Sequence, residues 1–543
     1  MKKLLLFLLW SVAVLHTGQL SARDFEYTYE GQTLTYKVLD ETAKTCEVIN
    51  YNKNISGTVV IPSNPIDGDN VFTVTSVAEY GFYGCPNLTS IIIPNTITYI
   101  GKHAFTECKV LKTVDLGTSV ETIDYEAFKD CTSLTDIDVS KSVKFIGDGA
   151  FCNCSMSSII VGELVEEIED NAFVHCKKLS SVRIGNSVKT IGNSAFRECS
   201  SLTTIEIPNS VNVIEGNAFK NCGFSTVTIP ESVTYIGLEA FAIPSLKKVV
   251  FSDGISPLQL QFDDTFKSSP LTEVYLGREL IYNSVIPPFH YHVQTLTALT
   301  IGPTVTQIGE GLFSGCSNLK GQLLLPESVK SIGSNAFNGC SGLTSLILSE
   351  SLETIGNDAF YNCSGLTGTL TFPQSLKSIG SAAFYNCSSL TGTLIIPEGI
   401  ETICNTVFLE CSGFEKIILP GSLNDIGTYA FFGCKFTEIY SSNPVPPSAP
   451  NAFSYENYKA TLYVPEESVN AYKNAEEWKN FYNIVGHKFD AGIAGIDIDS
   501  NALIKVFNIN GVEIYEGLEQ NINLPSGLYI MLRNKAEKVY IHE

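Results

Sequence analysis

Residues 329–343 read VKSIGSNAFNGCSGL, and nearly the same string recurs at residues 351–366 and 375–390. The phenylalanine of the Ala-Phe pair, here called the ladder phenylalanine, returns along most of the chain in steps of 22 to 25 residues. Its positions are Phe82, Phe105, Phe128, Phe151, Phe173, Phe196, Phe219, Phe241, Phe266, Phe289, Phe313, Phe337, Phe360, Phe384, Phe408, Phe431 and Phe453. A fixed period of this size indicates a solenoid, in which each turn buries its apolar edges only against its neighbours.

One repeat, residues 202–225, shows how a turn is built. It begins LTTIEIP, where Leu202, Ile205 and Ile207 have the L-x-x-L-x-L spacing of leucine-rich repeats, a short parallel strand with one buried face. An Ile-Gly pair follows in most copies, and we expect this glycine to serve a backbone with positive φ. The Ala-Phe-x-x-Cys segment is predicted to be one helical turn. The sequence thus predicts an α/β solenoid of about 17 turns, with a parallel β ladder on its concave face and short helical turns on its convex face.

The two ends of the chain depart from the repeat. Residues 1–22 join Lys2 and Lys3 to a short apolar stretch and predict a secretory signal peptide, and no later apolar run is long enough to predict a transmembrane helix. Residues 23–54 alternate apolar and polar side chains and predict an N-terminal β cap. Residues 55–488 form the predicted solenoid, closed by an amphipathic cap helix over residues 466–482, and residues 489–543 are predicted to be a small β domain.

The motif weakens between residues 244 and 303. Ser269 and His292 replace the usual cysteine there, and several prolines interrupt the pattern. Because the phenylalanine steps are maintained through Phe289, we expect the solenoid to continue across this segment with a kink or an altered face.

The 16 cysteines follow the repeat. Thirteen of them stand three residues after a ladder phenylalanine, and only Cys46, Cys152 and Cys404 lie elsewhere. A free cysteine behaves as a small, usually buried apolar residue, and one per turn at one position suits an interior stack. Parallel Cβ vectors and an odd count disfavour serial disulfides. We therefore predict buried free thiols, although an exported protein would ordinarily suggest disulfides.

The formal net charge of −22 excludes some classes of partner. Nucleic acid binding requires a basic face, and an anionic membrane surface repels an acidic protein. We therefore expect no nucleic acid partner.

The parallel strands are expected to expose their alternate residues on the concave sheet, which is the usual binding face of solenoids. Near the end of the array, the middle residue of the L-x-L pattern is repeatedly apolar and forms a predicted interaction surface of Leu324, Ile347, Ile395, Ile418 and Tyr440. Exposed apolar rows mark interaction surfaces. The alternative interpretation is that β-branched and aromatic residues stand there because they favour strands.

Two other clusters contain residue types that bind metal ions in proteins. Asp115, Asp136 and Asp138 form an acidic cluster, which we interpret as a solvated face because no calcium-binding repeat surrounds it. His290 and His292 are an i, i+2 pair on one side of a predicted strand, without a third clustered ligand. The sequence has no hydrolase, metalloprotease, P-loop or dinucleotide motif, so no catalytic residue, cofactor or metal is assigned and the protein is predicted not to be an enzyme.

The repeated pattern [VL]-x-x-IG-x-x-AF-x-x-C-x-x-L resembles the BspA-like leucine-rich repeats of bacterial surface proteins and covers about three quarters of the chain. The segment TLYVPEESVNAYKNAEEWKNF looks like the closing segment of such arrays. The tail, with KVFNINGVEIYEG and LPSGLYIML, is similar to the C-terminal sorting domains of type IX secretion in Bacteroidetes. The resemblance implies a secreted or surface-attached protein that adheres to host matrix proteins or cells.

These observations leave three hypotheses. The first is a non-enzymatic recognition solenoid at the cell surface that binds a protein or cell-surface ligand, with host extracellular matrix as a candidate. The second is a glycan-binding surface protein, which the small number of aromatics in the outward row (Tyr275 and Tyr440) disfavours. The third is an enzyme with its site in residues 244–303 or in the tail.

Overall fold

The computed structural model describes residues 23–489 apart from residues 51, 262 and 283–285, and it describes four further C-terminal strands by their backbone alone. The predicted signal peptide, residues 1–22, and the residues that connect to the C-terminal strands lie outside the described residues. Among the described residues, no helix has the length and hydrophobicity needed to cross a membrane.

Each turn of the solenoid contributes a strand with the L-x-L pattern to a first ladder. These strands are short because the buried aliphatic residues alternate with outward ones for only one or two pairs before the chain turns. They pair in parallel with the neighbouring turns, in several consecutive sheets. The first-ladder strands are Ser56–Val60, Asn87–Ile92, Thr113–Asp115, Asp136–Ile137, Ser158–Ile160, Ser181–Arg183, Thr226–Ile229, Lys248–Phe251, Glu273–Leu276, Ala298–Ile301, Gly321–Leu324, Leu343–Ile347, Gly392–Ile395, Phe414–Leu419, Glu438–Ser441, Thr461–Pro465 and Asn483–His487.

A second parallel ladder is formed by the residues just before the repeated glycine. Most of its strands are only two residues long, with the second residue buried. They are Thr73–Val77, Tyr99–Ile100, Thr122–Ile123, Phe145–Ile146, Glu167–Ile168, Thr190–Ile191, Val213–Ile214, Tyr235–Ile236, Leu258–Leu260, Leu280–Tyr282, Gln307–Ile308, Ser331–Ile332, Thr354–Ile355, Ser378–Ile379, Thr402–Ile403 and Asp425–Ile426. The predicted leucine-rich repeat solenoid is confirmed, and it has two strands per turn instead of one.

The Ala-Phe-x-x-Cys segment is not a helical turn, contrary to our expectation. His103 and Glu107, on either side of Phe105, have φ values of 52° and 62°, which interrupt any right-handed helix. The N–H groups of these three residues instead donate to carbonyl groups of the following turn at distances of 2.7–3.0 Å. The segment is therefore a third ladder of inter-turn backbone hydrogen bonds, made of tight turns, and this pattern repeats along the array.

The repeated glycine also has a different role from the one we expected. Neither Gly101 nor Gly356 has a positive φ. A Cβ atom on Gly101 would lie 2.7 Å from backbone atoms of Ala78 and Glu79, and one on Gly356 would lie 2.5 Å from the backbone N of Ser334. The glycine is required because the preceding turn approaches its Cα too closely for a side chain.

The core is a single continuous stack along the solenoid. Consecutive ladder phenylalanines stack nearly parallel, as in the pair Phe105 and Phe128, whose ring centroids are 5.0 Å apart at an interplanar angle of 3°. This offset stacking is favourable beyond the burial of apolar area. The stack runs unbroken from Phe82 to Phe453, with the widest spacing, 6.4 Å, between Phe266 and Phe289.

The cysteines are free, and all thirteen that follow a ladder phenylalanine are buried, as predicted. In eleven turns the thiol donates to the carbonyl oxygen of the ladder phenylalanine one turn back, at sulfur–oxygen distances of 3.0–3.2 Å. Cys131, for example, donates to Phe105 at 3.1 Å. The same carbonyl also accepts the backbone N–H of the cysteine in its own turn, so the thiol adds a second donor and finds a buried partner for its own proton.

The solenoid continues through residues 244–303, as expected, and polar residues replace the cysteine without breaking the stack. The hydroxyl of Ser269 donates to Phe241 O at 2.8 Å, which is the bond a thiol makes elsewhere. His292 is 1% exposed, and both of its ring nitrogens lack a hydrogen-bond partner. Burial lowers the pKa of His292 to about 4. Sequence reasoning missed Arg278, a fully buried guanidinium whose nitrogens donate to the carbonyl oxygens of residues 230, 231 and 233.

At the N-terminal end, the strands Asp24–Tyr29 and Gln32–Asp40 form an antiparallel hairpin, and Thr45–Val48 joins it to the second ladder. A small hairpin, Ile66–Asp67 with Asn70–Val71, lies within the first turn, between its strands Ser56–Val60 and Thr73–Val77. In the irregular segment, the short 3-10 helices Asp263–Phe266 and His290–His292 replace the tight turns.

The C-terminal cap is not one helix over residues 466–482, as we had expected. It consists of the 3-10 helices Glu466–Ser468 and Trp478–Asn480 on either side of the α-helix Val469–Asn474, preceded by a 3-10 helix at Asn457–Lys459. The helix ends because Ala475 is extended and Glu477 has a φ of 70°. Buried hydrogen bonds fix that course: the Tyr472 hydroxyl donates to Asn443 O, and the Trp478 indole N–H donates to Pro447 O.

Beyond the solenoid, the four predicted strands of the tail are present. Leu503–Asn508, Glu513–Leu518, Gly527–Leu532 and Ala536–Ile541 form an antiparallel sheet in which Glu513–Leu518 and Ala536–Ile541 are the edges.

Candidate functional site

The first ladder brings most of the predicted interaction residues into one line. Leu324 pairs in register with Ile347, and Ile418 pairs with Ile395 on one side and with Tyr440 on the other. Parallel pairing in register repeats the same side-chain position at every turn, about 4.8 Å apart. Within each of these two sheets, residues that are more than twenty positions apart in sequence therefore lie side by side on one face.

Exposure differs along this line, and one predicted contact residue is excluded. The Leu324 side chain is 53% exposed, whereas Ile347, Ile395 and Tyr440 are half-buried. Ile418 is only 6% exposed, so the prediction that it contacts a partner is wrong. Its neighbours on the adjacent strands, Ile395 and the large Tyr440, cover it on both sides.

The structure extends the line by two residues that the sequence analysis missed. Tyr440 pairs with Tyr463, and Tyr463 pairs with Val485, which is 37% exposed. The signal was present, because Tyr463 is the middle residue of the L-x-L pattern in TLYVP. We define the apolar row by these seven residues, Leu324, Ile347, Ile395, Ile418, Tyr440, Tyr463 and Val485, together with the uncharged Thr371, which occupies the same position of the repeat in the turn between Ile347 and Ile395. The seven steps of about 4.8 Å between these eight turns give a length of roughly 34 Å.

Aromatic side chains gather at the C-terminal end of the apolar row. The rings of Tyr440 and Tyr463 stack with centroids 4.5 Å apart at 12°, and His487 meets both edge-on at 5.5 and 5.7 Å. Phe489 lies 4.8 Å from His487. Because the two tyrosine rings cover each other, their faces are not open to a flat ligand between them.

The apolar row carries no charged residue. Beside it, the Lys416 ammonium lies 2.7 Å from a Glu438 carboxylate oxygen and lowers the pKa of Glu438. The Tyr440 hydroxyl donates to the same carboxylate at 3.1 Å, and burial together with this neighbour raises the pKa of Tyr440 to about 12. The tyrosine hydroxyl therefore stays neutral, and the adjacent charges are paired with each other.

In the first half of the solenoid, charged residues occupy several of the same positions of the L-x-L pattern. Those that are exposed include Asp115, Asp138, Arg183 and Glu206. In the acidic cluster, Asp138 accepts hydrogen bonds from Ser140 N and Ser140 Oγ at 2.9 and 2.6 Å, and Asp115 accepts one from Gly117 N at 2.9 Å. Each of these two carboxylates therefore stabilises the loop that follows it by accepting hydrogen bonds within that loop. Within the described part of the chain, no group of three or more His, Cys, Asp and Glu side chains is arranged to hold a metal ion.

The histidine pair does not lie on a strand, so that prediction is wrong. His290 and His292 occupy a 3-10 helix, where residues two apart point in different directions. His290 is exposed, while His292 replaces the cysteine in the core. The two rings therefore do not face a common ligand position.

The comparisons with known proteins follow the repeat. A sequence profile described as the BspA type leucine rich repeat region matches residues 69–180, 166–286, 284–395 and 391–497. Among solved structures, a leucine-rich repeat protein from Bacteroides ovatus ATCC 8483 is 26% identical over 81% of this chain and 100% of its own, with a TM-score of 0.42. A leucine rich cell surface protein from Faecalibacterium prausnitzii A2-165 is 25% identical over 63% of this chain and 93% of its own, with a TM-score of 0.34. No curated protein matches the chain.

Proposed function

The chain belongs to the BspA-type leucine-rich repeat family, and from this premise we propose that it is an exported, non-enzymatic surface protein that binds a protein partner on its apolar row. Proteins of the host extracellular matrix or the host cell surface are the partner class that we propose, and adhesion is the role. The signal peptide predicted at residues 1–22 supports export.

The observation that carries the proposal is the contrast between the apolar row and the rest of the protein. The chain has a net charge of −22, yet eight consecutive turns present uncharged side chains at the same register position. Leu324 is more than half exposed at one end, and an aromatic cluster lies at the other. Contiguous exposed apolar surface with a polar rim is typical of protein–protein interaction sites.

Charge substitutions on the apolar row test the proposal. We expect Leu324→Asp to weaken binding to a matrix-protein panel by at least about tenfold, since a charge replaces an apolar contact at the interface. Ile160→Asp is the matched control, because Ile160 occupies the same position of an L-x-L strand in the first half of the solenoid and is 45% exposed. Equal binding by both variants and the unmodified protein, with unchanged thermal unfolding, would contradict the proposal.

Glycan binding is the alternative function. A sugar ring stacks on the open face of an aromatic side chain, whereas Tyr440 and Tyr463 cover one another. We therefore expect no signal for the unmodified protein on a glycan array under conditions in which a matrix protein binds. A glycan signal that Tyr463→Ala abolishes would favour the alternative.

The tail supports a separate proposal about delivery. The strands between Leu503 and Ile541 follow the pattern similar to type IX sorting domains, and we propose that they direct the protein to the surface. Deleting residues 491–543 should leave the protein off the cell surface in a native host. Unchanged surface delivery of the truncated chain would count against this role.

A further inference from the structure

The last strand of the first ladder has an unpaired edge. Asn483–His487, here called the terminal strand, pairs in parallel with Thr461–Pro465 through all five of its residues. Among the described residues, no strand pairs with its other side. A regular, five-residue edge without proline or a bulge is a template for another strand.

The opposite end of the same ladder is closed. There the first strand is Ser56–Val60, and the side-chain amide of Gln32 donates to Ser56 O at 3.1 Å and to Thr58 O at 2.9 Å. The side chain thus takes up backbone acceptors that another strand would need. Head-to-tail stacking of copies through this ladder is therefore disfavoured, and of its two end strands, as far as the chain is described, the terminal strand is the one with a free edge.

The side chains of the terminal strand are also suited to contact with a second copy of the chain. Its outward residues are Asn483, Val485 and His487, none of which carries a fixed charge, in a chain whose net charge is −22. On its inward side, Ile484 is only partly buried at the end of the core. Gly486 lies against the cap, since a Cβ there would meet Glu466 Cα at 3.1 Å.

We propose that the terminal strands of two copies pair antiparallel about a twofold axis at Val485, which joins two solenoids through one sheet. In this register Val485 of each copy faces Val485 of the other, and Asn483 faces His487. The contact is isologous and therefore closes as a dimer.

The dimer has a consequence for the surface described above. Because Val485 is the last residue of the apolar row, the twofold axis places the apolar rows of two copies end to end and joins their C-terminal five-stranded sheets into one. The inference does not depend on the proposed function, since pairing of the edge requires no ligand. Binding by a monomer and dimerisation without binding are separately measurable.

Disulfide trapping in the full-length protein tests the register. Directly opposed residues in an antiparallel pair have Cβ atoms about 4.5–5.5 Å apart, so Val485→Cys is expected to form a covalent dimer on mild oxidation. Asn483→Cys is the matched control on the same strand, because it faces His487 and has no cysteine opposite. Cross-linking of Asn483→Cys as efficient as that of Val485→Cys would overturn the proposed register.

Sedimentation of the full-length protein tests the dimer itself. The unmodified protein should dimerise at concentrations up to about 100 µM, where even an interface with a Kd of ~10 µM is largely occupied. Val485→Lys places two like charges directly opposite each other and should raise the dimer Kd at least about tenfold without lowering the thermal midpoint. A protein that is monomeric throughout this range, or dimerisation that Val485→Lys leaves unchanged, would overturn the proposal.

Discussion

The buried thiols give the sharpest test of the core. Burial of its sulfur in the apolar stack raises the pKa of Cys363 from 9.0 to about 12. The thiol donates its proton to Phe337 O. Raising the pKa from 9 to about 12 lowers the thiolate fraction at pH 8 about a thousandfold, and the thiolate is the reactive form. Steric exclusion by the neighbouring turns slows the reaction further. The native protein should therefore hide nearly all of its 16 cysteines from a thiol reagent.

Two cysteines outside the stack are half-buried and differ from the rest. Burial raises the pKa of Cys152 to about 11, which lowers its thiolate fraction about a hundredfold. Cys404 lies at the register position that glycine occupies in the adjacent turns. We therefore expect Cys404 to be labelled first, Cys152 much more slowly, and the buried thiols only as the solenoid unfolds.

The assay is alkylation at pH 8 followed by mass spectrometry, with and without denaturant and without reductant. The expected result is fast labelling at one position in the native protein, its loss in Cys404→Ser, and 16 reactive thiols after denaturation. Fewer than 16 thiols in the denatured, unreduced protein would mean that disulfides are present. Native labelling of Cys363 as fast as that of Cys404 would refute the assignment of the cysteines to a closed core.

Three further predictions concern stability. Phe360→Ala should lower the free energy of unfolding by about 3–5 kcal/mol, because it opens the phenylalanine stack, whereas Phe432→Ala, 41% exposed, should cost much less; urea denaturation compares them. Gly356→Ala should destabilise by about 1–3 kcal/mol, since its Cβ would lie 2.5 Å from a backbone N, while Gly421→Ala, with its nearest contact at 3.7 Å, should be tolerated; thermal midpoints decide this. His292 has a folded-state pKa of about 4, below its ordinary 6.5, so its neutral form contributes stability above pH 6.5 that is lost as the pH falls to 4. The loss is about 3 kcal/mol, and His292→Cys should remove this part of the pH dependence of the urea midpoint.

Much of the architecture could be predicted because the same residue types recur at the same positions of many repeats. A single Ile or Cys is uninformative, but one at the same place in thirteen turns identifies an interior stack. Ser269 also follows this logic, because its hydroxyl makes the bond that the thiols make elsewhere. The errors arose in the connections. Positive φ at His103 and Glu107 converts an expected helical turn into a ladder, and neither residue type requires that conformation.

The candidate site was predictable in position but not in exposure. The L-x-L spacing placed Leu324 and Ile347 on the outward face because strand side chains alternate strictly. Whether an outward side chain is accessible depends on the residues of the adjacent turns, more than twenty positions away. That is why Ile418 is buried between Ile395 and Tyr440.

By itself, the sequence determined the solenoid and its buried stack of phenylalanines and thiols. These are properties of one repeat, and the period copies them into every turn. Only the tertiary structure decided what happens between turns: which outward residues are covered, which glycines are needed for close approach, and which strand edge is left unpaired. Such features depend on contacts between residues of adjacent turns. The repeat motif describes the residues within one turn and therefore does not predict them.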